Sequence, residues 1–145
     1  MTLVELITVV TIVSILAMMA LPLTRVSMKR EKEIELRHSL REIREAIDRY
    51  KDAADRGFIQ IKLGSEGYPP DLNTLVEGVT QVNTVDKKLR FLRRIPIDPM
   101  TGNNEWGSRS ISDSPDSTSS GGQNVFDVFS KSTGTALDGS KYSEW

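Results

Sequence analysis

Between Leu6 and Thr24 the chain carries no charged residue. At ~1.5 Å of rise per helical residue, such a run reaches across a bilayer core of ~30 Å. It begins almost at the first residue, and Glu5 stands near its start. An ionised carboxylate in hydrocarbon costs on the order of 2.5–3.5 kcal/mol on insertion scales, so Glu5 calls for a partner. An α-amino group on Met1 is one helical turn away, and a cation on a neighbouring copy of the chain would serve equally. A segment that needs both an apolar surround and a counter-charge suits a filament core as well as a membrane. A secretory signal peptide would have a basic start and a small-residue cleavage site, and this stretch has neither. An ordinary membrane anchor explains the apolar run but not Glu5.

Within that run Thr8, Thr11 and Ser14 are small enough to bond back to helix carbonyls or across to another helix. Pro22 lacks an N–H and clashes with the preceding turn, which predicts a kinked or locally unwound helix over roughly Ser14–Leu21.

The run Thr2-Leu3-Val4-Glu5-Leu6, the aliphatic stretch after it and Pro22 resemble the mature N-terminus of the type IV pilin superfamily. Met1 stands where that superfamily usually has Phe. With no basic leader ahead of Met1, the numbering reads as that of a processed chain. The resemblance implies cleavage by a prepilin peptidase, N-methylation of Met1, and a filament-assembly role for Met1 and Glu5. Within the superfamily the chain is most like the major pseudopilins of type II secretion systems. Pilins often brace the C-terminal region with a disulfide, whereas major pseudopilins tend to use calcium, and this chain has no Cys.

The rest of the chain divides at its composition shifts. Residues 1–24 form the transmembrane or filament-core segment. Residues 25–57 continue the helix in amphipathic form, with Leu36, Leu40, Ile43, Ile47, Tyr50 and Ala54 at steps of three and four. Glu33–Arg37, Glu45–Arg49 and Asp52–Arg56 are spaced for i,i+4 pairing, and Gly57 is a natural C′ stop. Residues 58–145 form a small domain. The alternating run Phe58–Leu63 reads as a short strand or as a segment packed on the helix. Asp71 is placed to cap a short helix over Leu72–Gly78. Lys87–Arg94 reads as helical or irregular, and Ser108–Gly122 as a Ser-rich, solvent-facing loop. Strands are expected near Glu105–Ile111 and over Val125–Ser130. The expected fold class is α+β: a long N-terminal helix with a protruding apolar half, packed on a small antiparallel β-sheet domain.

Two further segments carry the resemblance. Ile95-Pro96-Ile97-Asp98-Pro99 is similar to the Pro-x-Asp-Pro segment ahead of the β region in major pseudopilins. There a Trp-Gly pair follows at once; here Trp106-Gly107 comes a little later. The run from Asp127 to Ser130 matches a family strand. The resemblance implies calcium as the candidate cofactor, with Asp127 and Asp138 as ligands; Asp138-Gly139 as a tight turn is the competing reading. It also implies the partners: a homopolymeric filament, an assembly platform and ATPase, minor pseudopilins, and the inner membrane before assembly, with the C-terminal domain in the periplasm. The cations Arg25, Lys29, Arg30 and Lys32 would by themselves place that end of the helix in the cytoplasm, against the periplasmic placement. A type IV pilin of a surface pilus shares the N-terminus and is the alternative.

Net charge is −1, which gives no bulk attraction to nucleic acid. His38 is the single histidine. No nucleophile with a histidine partner, Walker loop, dinucleotide turn or His/Cys metal spacing occurs, so no enzymatic activity is expected.

Overall fold

The computed structural model describes residues 2–84 and 87–145, with the side chains of residues 20–23 outside that description. Helix α1 runs Leu3–Asp55, 53 residues, or about 80 Å at ~1.5 Å per residue. It starts on a capping box. Thr2 Oγ1 accepts from the Glu5 amide, and the Glu5 carboxylate accepts from the Thr2 amide, both at 3.4 Å. It stops in a Schellman motif: the Gly57 amide donates to Ala54 O and the Phe58 amide to Ala53 O. Gly57 supplies the left-handed φ of 72° that this stop requires.

The unwinding expected over Ser14–Leu21 is corrected. The backbone is helical there, and the Ser14 hydroxyl donates to Val10 O inside the helix. A proline removes a single rung of the ladder. Opening further rungs would cost more than the one already lost. The Pro22 side chain itself lies outside the described residues.

The head begins where the α1 stripe does. Leu36, Leu40, Ile43, Ile47, Tyr50 and Ala54 are all buried, joined by Ser39, Ala46 and Ala53. Against them pack Leu75 from α2 (Leu72–Glu77), Val128 from the second sheet, and Phe91, Trp106, Val125 and Tyr142. Asp71 caps α2, accepting from the Thr74 amide at 2.7 Å.

Strands are short. β1 (Val79–Thr80) pairs antiparallel with β2 (Lys88–Leu89). β3 (Gly107–Arg109) pairs antiparallel with β4 (Asp127–Phe129), in the register Gly107↔Phe129, Ser108↔Val128, Arg109↔Asp127. Lys87–Arg94 thus contains a strand, where a helical or irregular stretch was expected. Beyond it the Phe91 and Leu92 amides both donate to Leu75 O, which draws their side chains into the core. Ile59 makes one bridge to Gln81 and is buried, while Ile61 and Leu63 stay exposed. Ser108 and Arg109 belong to β3, so the Ser-rich loop starts only after them.

Gly107 is fixed by packing. A Cβ there would lie 2.3 Å from the Phe129 ring, its cross-strand partner. The Trp106 indole beside it donates to Pro96 O at 2.9 Å, tying the proline turn to β3. Asp98 in that turn is fully buried and accepts from the Ser130 hydroxyl and the Met100 amide.

Candidate functional site

The first half of α1 is a surface with no cover of its own. An 18-residue window in it is apolar enough to cross a membrane and is 0% buried. Thr8, Thr11 and Ser14 donate to Val4 O, Ile7 O and Val10 O at 2.8, 2.7 and 2.7 Å. Their hydroxyls are thereby satisfied within the helix, and the lateral surface is left to aliphatic groups. Glu5 is the one ionisable side chain of α1 ahead of Arg25, and the capping box directs it towards the helix start. Thr-x-x-Glu is a readable capping signature, and it gives Glu5 a local role that the charge argument alone misses. Met1, expected to pair with Glu5 and to carry the methyl group, lies outside the described residues.

The second half of α1 holds the head in one orientation through Glu33, Arg37 and Arg44, which share a helix face at i, i+4 and i+11. The Glu33 carboxylate accepts from the Leu137 amide at 2.8 Å and from the Tyr142 hydroxyl at 2.9 Å. Burial, followed by the neighbouring Glu33, pushes the Tyr142 hydroxyl up to about 12. Arg37 lies 3.8 Å from Asp138 and stacks on the Trp145 ring, 4.1 Å from its centroid. Arg44 donates to Asp127 at 2.7 Å, to Val128 O at 3.1 Å and to Trp145 O at 2.9 Å.

From the other side comes Arg109, only 6% exposed. It donates to Ser117 O at 2.8 Å, Ser143 O at 3.1 Å and Asp127 at 3.4 Å, and lies over the Phe129 ring. Asp127 therefore sits between two guanidinium groups, one from the helix and one from β3. This clamp was not legible in the sequence. Of the three i,i+4 pairs expected on α1, only Asp52–Arg56 forms, at 2.9 Å. Glu33 and Arg37 turn to the head instead, and Arg49 donates to Glu45 O and Phe91 O.

The two residues expected to hold calcium, Asp127 and Asp138, are engaged with other groups. Calcium takes six to eight oxygens, several of them carboxylate. Asp127 already faces Arg44 and Arg109. Asp138 folds onto Ser140, accepting its amide at 2.9 Å and its hydroxyl at 2.6 Å. These bonds, and then Arg37, hold its carboxyl below the usual value. Asp138-Gly139 makes the tight turn, with Gly139 at φ 88°. Among the described residues no group of three or more His, Cys, Asp or Glu converges to hold a metal.

A groove of about 810 Å³ runs between α1 and the Arg93–Ile97 segment, lined by Glu35, His38, Glu42 and both arginines among others. It mixes charges of both signs.

Fold and site together define an α+β chain with a long helix, apolar and uncovered at its N-terminal end, locked at its other end to a small head. That arrangement is compatible with a pilin-like fold. No family model matches this chain, and no curated protein or solved structure matches it.

Proposed function

We propose that this chain is the subunit of a helical filament, a major pseudopilin of a type II secretion system, with no catalytic activity of its own. The observation that carries the reading is the uncovered apolar half of α1 with Glu5 at its start. In a bilayer that half sits among lipid tails; in a filament it packs against the same half of neighbouring subunits. Glu5 then meets the Met1 amino group of an adjacent copy. A prepilin peptidase prepares that N-terminus. The subunit waits in the inner membrane with its head in the periplasm. An assembly platform and ATPase, working with minor pseudopilins, draw it into a filament that drives folded proteins through the outer membrane. The clamp around Asp127 keeps head and helix as one body, so that force on the helix moves the head.

The test is a gene deletion scored for release of extracellular proteins and for surface pili, followed by complementation with the intact gene and with Glu5→Ala. The expected result is loss of release with pili intact. The intact gene should rescue, and Glu5→Ala should insert in the membrane but fail to rescue. Loss of pili with normal release would make this a type IV pilin. Full rescue by Glu5→Ala would remove the proposed role of that carboxylate.

A further inference from the structure

Between the apolar half of α1 and the first residue that holds the head lies a collar of cations: Arg25, Lys29, Arg30 and Lys32, against one acid, Glu31. None of the four makes an ion pair among the described residues. Arg25, Lys29 and Lys32 share a helix face at i, i+4 and i+7, and Arg30 lies on the opposite flank. Apolar side chains are interleaved with them. Val26, Met28 and Ile34 are 53, 62 and 63% exposed. Leu137, whose amide donates to Glu33, stands at the level of the collar's upper end and is 46% exposed.

Lengths place this collar. Leu3–Thr24 spans about 33 Å as helix, close to a hydrocarbon core of ~30 Å. The collar occupies roughly the next 10 Å, and a headgroup layer is about 5–8 Å deep. Glu33, and with it the lower edge of the head, follows directly. Water alone would solvate the cations but would leave Val26, Met28, Ile34 and Leu137 exposed beside them. A headgroup layer accommodates both kinds of group, with the long basic side chains reaching outward to phosphate.

We propose that Arg25, Lys29, Arg30 and Lys32, with Leu137 at the lower edge of the head, dock the unassembled subunit on anionic phospholipid headgroups of the bilayer that holds α1. The inference rests on the membrane placement in the proposed function. It gives the collar a partner whatever the leaflet, since the chemistry recognised is a phosphate monoanion in a charged surface. The docked head is held at the membrane until extraction of the helix lifts the collar out of the headgroup layer.

The chain has no Cys, so Leu137→Cys accepts a single environment-sensitive fluorophore. The full chain is reconstituted into vesicles of phosphatidylcholine alone or of phosphatidylcholine with phosphatidylglycerol. Expected are blue-shifted emission and protection from an aqueous quencher only with phosphatidylglycerol. The effect should reverse in ~1 M salt, where the Debye length falls to ~3 Å. It should be lost in the Lys29→Gln/Arg30→Gln/Lys32→Gln variant and kept in Arg93→Gln/Arg94→Gln, which removes two cations from the head groove. Equal emission in both vesicles overturns the proposal, as does protection that survives the collar variant. Equal protection in both would point to contact between copies instead. A chain that floats with neither vesicle overturns the membrane placement itself, a failure visible before any fluorescence is read.

Discussion

Tyr142 illustrates how a single hydroxyl ties the end of the chain to the helix. It is buried and donates to Glu33, so its proton is held more tightly in the folded state than in the unfolded one. A raised folded value means that the stabilisation is complete below the unfolded value of 10.0 and is lost as pH rises towards about 12. Melting temperature should therefore fall across that window, and Tyr142→Phe should flatten the fall. Tyr50 is raised too, by burial, so the comparison of the two proteins isolates Tyr142. An identical pH profile for both would mean that the Glu33 bond contributes nothing.

Asp127 is the counterpart on the other flank. Removing it leaves Arg109, whose side chain is 7% exposed, with carbonyl partners but no counter-charge. Losing one member of a buried pair costs about 3–5 kcal/mol, and the 27% exposure of Asp127 places this case at the lower end. Asp127→Ala should lower unfolding free energy in urea by about 3 kcal/mol. Calcium or chelator should leave the midpoint of either protein unmoved. A chelator-sensitive rise would support the metal reading of Asp127 and Asp138.

At the scale of elements, what the sequence shows depends on whether the determinant is local. The α1 stripe from Leu36 to Ala54, the Gly57 stop and the Asp71 cap are each set by residues within a turn or two, and each is visible as spacing. Strand β4 is visible for the same reason, through its alternation. The clamp is not. Arg44 meets Asp127 across 83 positions and Glu33 meets Tyr142 across 109, separations that no helical period encodes. Glu33–Arg37 was the natural local pairing; a buried tyrosine and a backbone amide outcompete an exposed i,i+4 pair worth about 0.2–0.5 kcal/mol. The Thr2–Glu5 box is local too, a Thr-x-x-Glu spacing within one turn.

Pro22 shows the opposite failure, a local rule applied too strongly. Proline is about 3 kcal/mol worse than alanine inside a helix. α1 nevertheless continues from Leu3 to Asp55, because helical turns on both sides retain their bonds. Pro22→Ala should therefore leave the far-UV helical signal of the full chain in detergent unchanged. A gain equivalent to a turn or more would show that the proline opens the isolated helix.

For the molecule as a whole, the decisive quantity is how unevenly apolar surface is shared between its two halves. Between Leu3 and Met19, twelve large apolar side chains are 48% exposed or more. At about 1.5 kcal/mol for each, covering them is worth on the order of 20 kcal/mol, more than a domain of this size holds in its own folding. The head contributes none of that cover, since its core begins at Leu36 and its lowest bond to the helix among the described residues is at Glu33. Folding of the head and burial of the tip are thus separate events with separate partners. A chain lacking residues 1–24 should be soluble without detergent, monomeric, and should melt at the same temperature as the head within the full-length protein. The truncation removes no core contact, and only the collar and stalk remain below Glu33. A clearly lower midpoint would mean that the apolar half supports the head in a way the described contacts do not contain. An unchanged midpoint together with loss of self-association would locate assembly in residues 1–24 and leave the head to set spacing and orientation.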